Sequence, residues 1–190
     1  MKQTTFSDKR FAALAIAAIL LFAVTSTAPM ISSSPVAAAT IANCSAGNTF
    51  VWAAFEGAGA AGTTYYVVEF SNIGSAACTL HGNATVWAVN KTGLQVGKPA
   101  THQGAPGTVT LARDGTAHSI LDVVDTGATC PGQSLQSTGI RVVPPGQFLP
   151  NPAGEKDEVK YFPVEVCAHQ SSMHVLPVRP GTGIPLYTTS

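Results

Sequence analysis

The chain has 190 residues, with ten basic and ten acidic side chains and no net charge when histidine is neutral. Its apolar content of 45% excludes a disordered chain, which combines low hydrophobicity with high net charge. The even balance of charge excludes the basic surface of a nucleic-acid binder. Only 11% of the residues are charged, where soluble domains average about 25%.

The first element is apolar. Phe11 to Val24 runs without a polar residue, behind Lys2, Lys9 and Arg10. Fourteen residues are too few to span a bilayer, which needs about 20, but they fit the h-region of a secretory signal. Small residues at Ala37 and Ala39 place the expected cleavage after Ala39, making 1–39 a signal peptide. Retention as an N-terminal anchor is the alternative. Lys9-Arg10-Phe11 is not a twin-arginine signal. Asn43 before Cys44 does not fit a lipobox, and about twenty residues separate Cys44 from the h-region. No other run approaches the ~20 apolar residues of a membrane span. Beyond Ala39 the chain carries seven basic and nine acidic residues, a net charge of −2.

The remainder, 40–180, reads as one domain, with 181–190 as a tail that frays. Short β-branched and aromatic runs are broken by Gly, Pro, Asn and Asp, which argues for an all-β sandwich or barrel. The expected strands are Phe50–Phe55, Thr64–Ser71, Thr85–Asn90, Thr108–Leu111, His118–Val124, Gly139–Val143, Val159–Val166 and His174–Val178. In the second, Tyr66, Val68 and Phe70 share one face, and Tyr65, Glu69 and Ser71 the other. Phe162, Val164 and Val166 repeat the pattern, opposite Tyr161 and Glu165. Trp87 and Val89 are assigned to the core, although Val86 and Ala88 are equally apolar.

Turn chemistry separates these runs. Asn72-Ile73-Gly74 combines an Asn that can bond its own backbone with a Gly that takes positive φ. Lys91-Thr92-Gly93 suits a hairpin into Leu94–Val96, and Arg113-Asp114-Gly115 a tight turn. Pro144-Pro145-Gly146 ends the strand before it, because proline cannot donate to a ladder. Pro144 to Lys156 is the longest irregular stretch.

Four cysteines, Cys44, Cys78, Cys130 and Cys167, follow the leader, and an even number in an exported chain reads as disulfides. They allow three pairings, and the sequence alone does not choose. Sequential pairing, Cys44–Cys78 and Cys130–Cys167, is favoured and closes two loops of about 35 residues. There is no CxxC, and His81, His102, His118, His169 and His174 have no ligand spacing, so no metal site is expected.

No catalytic or cofactor-binding residue is assigned. Gly57-Ala58-Gly59-Ala60-Ala61-Gly62 spells GxGxxG, but strand residues follow it where a dinucleotide site needs a helix, so it reads as a flexible loop between strands. His118 and Ser119 point to opposite faces of a strand and cannot pair as base and nucleophile. Glu155, Asp157 and Glu158 alternate with Lys156 and Lys160 as a solvated loop. Asn43, Asn83 and Asn90 open glycosylation sequons.

Several motifs resemble one family. They are Gly62-Thr63-Thr64-Tyr65-Tyr66-Val67-Val68-Glu69-Phe70-Ser71-Asn72-Ile73-Gly74, Cys78-Thr79-Leu80-His81-Gly82, Val96-Gly97-Lys98-Pro99-Ala100, Val109-Thr110-Leu111 and Gly115-Thr116-Ala117. Cys130-Pro131, Gly139-Ile140-Arg141-Val142-Val143-Pro144-Pro145-Gly146, Cys167 and Leu176-Pro177-Val178-Arg179-Pro180-Gly181 continue them. In order and spacing they resemble an exported actinobacterial family known as domain of unknown function 4232. The resemblance implies an immunoglobulin-like Greek-key β-sandwich of about 7–9 short strands with sequential disulfides. It also implies export, often with a lipid anchor, from which Asn43 departs. Asn83-Ala84 replaces the proline usual after Cys-Thr-Leu-x-Gly. The family brings no catalytic residues.

The expected role is that of a secreted or envelope-associated module, non-enzymatic and monomeric, that binds an unknown protein or envelope ligand or serves structurally. Tyr65 and Tyr161 are its outward aromatics. A hydrolase of envelope material is the second expectation, requiring a histidine beside Ser, Asp or Glu in a concave site. An inhibitor using the Pro144–Lys156 loop is the third.

Overall fold

In the computed structural model the described residues are 40–54, 57–147 and 158–183, without the side chains of 60 and 158–160. Residues 1–39, where the signal peptide is expected, Phe55, Glu155, Asp157 and the end of the tail lie outside them, as does most of the irregular stretch before Lys156. The described residues belong to one compact unit, 39–190.

Alternation in the longest strand sets the architecture. The strands in chain order are β1 (Thr49–Ala53), β2 (Ala58–Ala60), β3 (Thr63–Asn72), β4 (Cys78–Gly82), β5 (Thr85–Val89), β6 (Gln95–Val96), β7 (Thr101–His102), β8 (Gly107–Leu111) and β9 (Thr116–Val124). A one-turn helix, α1 (Thr126–Thr129), precedes β10 (Ser134–Gln136), β11 (Gly139–Val143), β12 (Glu158–Lys160), β13 (Glu165–Cys167), β14 (Met173–Val175) and β15 (Arg179–Pro180). Strand β3 pairs along its length with β9, from Thr63 opposite Val124 to Ser71 opposite Thr116. Its other edge takes β2 at its start and β1 at its end. The far edge of β9 takes β14 and β15, and β7 joins β14 in parallel. These strands make a seven-stranded sheet.

A four-stranded sheet, β12-β11-β5-β6, supplies the second layer. Val68 and Phe70 of β3, Leu121 of β9 and Met173 and Val175 of β14 share one core with Val86, Ala88, Ile140 and Val142 of the second sheet. The small β4–β8 pair adds Leu80, Val109 and Leu111. Tyr66 packs edge-on against Phe162, with ring centroids 4.8 Å apart. The molecule is an all-β sandwich.

Four expectations need correction. In β5 Val86 and Ala88 point into the shared core and Val89 is fully buried as expected. Trp87 points the other way, beside Arg141, whose guanidinium carbon lies 6.0 Å from the ring centroid. The run Val159–Val166 is two strands in different sheets, because Tyr161 takes φ 61° and Pro163 removes a donor. The glycine-rich stretch is not a loop: Ala58–Ala60 is a strand, and Ala61 (φ 49°) and Gly62 (φ 80°) form a two-residue hairpin turn into β3. Finally, the five-residue strand β4 and short pairings such as β2, β7, β10 and β15 raise the strand count above the 7–9 expected.

The turns form as their residues require. Asn90 Oδ1 accepts from Thr92 N–H and Leu94 N–H at the β5–β6 hairpin. Buried Asn72 does more. Its Oδ1 accepts from Gly74 N–H at 2.9 Å, and its Nδ2 donates to the carbonyls of Ala76 and Ala112 at 2.9 and 3.0 Å. One side chain thereby ties the β3–β4 connection to the β8–β9 turn. Asn72→Ala is expected to cost about 1–3 kcal/mol, because it leaves buried polar groups unpaired. Urea unfolding at fixed pH measures it.

Candidate functional site

Two places gather polar side chains. The first is a cleft of about 520 Å³ between the β2–β3 turn, the end of β9, α1 and the Pro163–Glu165 segment. Asp125 and Glu165 are its carboxylates, and both have local work. Asp125 Oδ1 caps α1 by accepting from Gly127 N–H at 2.9 Å, while its own N–H donates to the Gly62 carbonyl. The hydroxyls of Ser134 and Thr126 hold the Glu165 carboxyl below its ordinary value. Asp125 is thus tied to the helix it caps, and Glu165 to fixed hydroxyls. No histidine lines the cleft.

The second place is the outward face of the seven-stranded sheet. Inward Tyr66, Val68 and Phe70 force Tyr65, Val67, Glu69 and Ser71 outward. Strand pairing then builds two rows across the sheet. Trp52 of β1, Glu69 of β3, His118 of β9 and Arg179 of β15 are successive cross-strand partners. So are Tyr65 of β3, Asp122 of β9, His174 of β14 and Thr101 of β7. Half-buried Val67, Ile120 and Leu176 lie between them, with Leu176 N–H donating to the Ile120 carbonyl.

Each row places a carboxylate between two rings. Glu69 is 6% exposed and Asp122 8%, although both point away from the core. Glu69 Oε1 accepts from the Ser71 hydroxyl at 3.1 Å, while Glu69 Oε2 and Asp122 Oδ1 are buried without a hydrogen-bond partner among the described residues. Phe50, beside Trp52 on β1, is 55% exposed and Tyr65 39%. The chain after β15 borders the first row. His118 Nδ1–H donates to the Gly181 carbonyl at 2.9 Å, since a carbonyl only accepts. Gly183 (φ 73°) lies so close to the imidazole of His118 that a Cβ there would collide with it.

Burial raises the Asp122 carboxyl above its ordinary 3.8, and the facing His174 partly opposes the shift. The folded protein therefore holds this proton more tightly than the unfolded chain. Stability should fall as pH rises from about 3.8 through the raised folded value, and then level off. Asp122→Asn should remove that decline and be at least as stable as the parent at neutral pH. Urea midpoints from pH 3 to 7 test this.

The residues singled out in the sequence are scattered. Cys44 is bonded to Cys78 and Cys130 to Cys167, with Cα atoms 4.8 and 5.9 Å apart. Cys44 therefore has no thiol to lipidate. Ser119 is buried behind the sheet, on the opposite side from His118. His81 shares a 2.7 Å hydrogen bond with the Thr108 hydroxyl, and His102 Nε2–H donates to the Ala84 carbonyl. His169 is exposed on the far side of α1, beside Gln170. Among the described residues no three His, Cys, Asp or Glu side chains converge as a metal site. Tyr65 and Tyr161 are both exposed, Tyr161 by 83%, but only Tyr65 belongs to a row. Trp52 was missed. Alternation in β1 could have turned it outward, but its neighbour Glu69 follows only from the pairing of strands.

Fold and disulfides define the class, a disulfide-stapled β-sandwich domain. The chain belongs to the family described as Domain of unknown function (DUF4232), whose model matches residues 44–177. No curated protein and no solved structure matches it.

Proposed function

We propose that the chain is an exported, non-enzymatic binding module of the cell envelope or its surroundings, and that the outward face of the seven-stranded sheet is its contact surface. The observation that carries this is the pair of ring–carboxylate–ring rows beside exposed Phe50 and Tyr65. Export is supported by the apolar run Phe11–Val24 and by two disulfides, which persist in oxidising compartments. A non-enzymatic role is supported by the separation of chemistry from concavity. The histidine–carboxylate neighbours lie on a sheet face, while the cleft beside α1 is lined by no histidine.

Co-sedimentation of the purified protein with washed envelope fragments tests the reading. The double variant Trp52→Ala, Tyr65→Ala should lose at least tenfold in retention, and Tyr161→Ala should behave as the parent. Equal retention of all three would refute the assignment of the face. Hydrolysis of the fragments by the parent protein would refute the non-enzymatic role.

A further inference from the structure

We infer that the outward face of the seven-stranded sheet binds a neutral, hydroxyl-rich oligomer, an extended oligosaccharide, laid along β3 from the Trp52 row to the Tyr65 row. This rests on the reading of that face as the contact surface and adds the chemistry of what it holds.

Three features of the face select the ligand. First, it offers acceptors that lack donors. Glu69 Oε2 and Asp122 Oδ1 are buried without partners among the described residues, an arrangement that costs free energy until a donor arrives. Hydroxyl groups supply such donors. Second, each carboxylate has a ring beside it, Trp52 in one row and Tyr65 in the other. A flat ring face is apolar with a negative quadrupole, which suits the C–H face of a sugar ring. Third, the charge on the face is offset. Each carboxylate stands opposite a histidine, and Arg179 ends the first row, so neither an anionic nor a cationic chain is favoured.

The geometry also disfavours a peptide held by its main chain, because on the face itself the backbone N–H and C=O groups of β3 and β9 are spent in ladders with their neighbours, and the free outer edge of β1 lies away from the Tyr65 row. Size points the same way. Tyr65 and Glu69 are four residues apart on β3, so the rows are about 14 Å apart at roughly 3.4 Å per residue. A monosaccharide cannot reach both. Val67, Ile120 and Leu176 give the ligand an apolar floor between them, and the Gly181–Gly183 segment forms a border at His118.

The test titrates the purified protein with neutral linear glucan hexamers, one α-linked and one β-linked, and with glucose. Trp52 fluorescence is followed in a Trp87→Phe background. Saturable binding of at least one hexamer is expected, with glucose at least tenfold weaker. Trp52→Phe should retain hexamer binding by NMR titration, while Trp52→Ala, Tyr65→Ala, Glu69→Gln and Asp122→Asn should each weaken it tenfold or more. The two carboxamide variants keep shape and rings, so their loss reports the acceptors rather than folding, which circular dichroism checks in parallel. Three outcomes overturn the inference: no hexamer binds, glucose binds as tightly, or binding survives the carboxamide variants. If no hexamer binds but the ring variants still lose retention on envelope fragments, the ligand class is wrong and the contact face stands. If retention is also unchanged, both are wrong.

Discussion

Phe70→Ala should cost about 3–5 kcal/mol of folding stability, the largest effect expected of any single substitution here. Phe70 is fully buried in the middle of the sandwich and is among the largest side chains in the core. Its neighbours are held by two sheets and cannot collapse into the space it leaves. A transfer term and a cavity term therefore add. Phe70→Leu keeps most of the volume and should cost less than half as much. Urea unfolding of both variants gives the comparison. A loss below about 1.5 kcal/mol for Phe70→Ala would mean that the two layers are not packed through this residue.

Replacing Cys44 and Cys78 together by alanine comes next, with an expected loss of roughly 3–4 kcal/mol. The bond joins residues 34 apart and encloses β1, β2 and β3. In the chain-entropy account, opening it returns conformational freedom to the unfolded chain while the native contacts stay. Both cysteines are buried, so alanine leaves an apolar site and adds little penalty of its own. Backbone bonds between Cys44 N–H and the Thr79 carbonyl, and between Thr79 N–H and the Ala42 carbonyl, should keep the segment docked when the sulfurs are gone. Thermal unfolding with and without reductant measures the effect. A variant that unfolds at the same temperature as the oxidised parent would contradict it.

Much of the architecture is written in local pattern. Tyr66, Val68 and Phe70 declare an inward face because side-chain direction has a period of two. Asn72-Ile73-Gly74 and Lys91-Thr92-Gly93 become turns because their chemistry acts within four residues. Legibility fails where the deciding partner is distant. Val86, Trp87, Ala88 and Val89 are all apolar, and only pairing with β11 decides which of them face the other sheet. The break at Tyr161 did have a local signal, since Pro163 falls inside a run that otherwise alternates like a strand. The candidate site was the least legible feature. Glu69 and His118 are 49 positions apart, and Trp52 is 66 from His118, yet register makes them one row. Register is a property of strand pairs, so no window along the chain contains it.

The most direct test is oxidative footprinting of the protein bound to washed envelope fragments, compared with the protein alone. Phe50, Trp52 and Tyr65 should be protected from side-chain oxidation in the bound state, while Tyr161, exposed and off the rows, should oxidise equally in both. Protection of Tyr161, with Phe50, Trp52 and Tyr65 unchanged, would contradict the account.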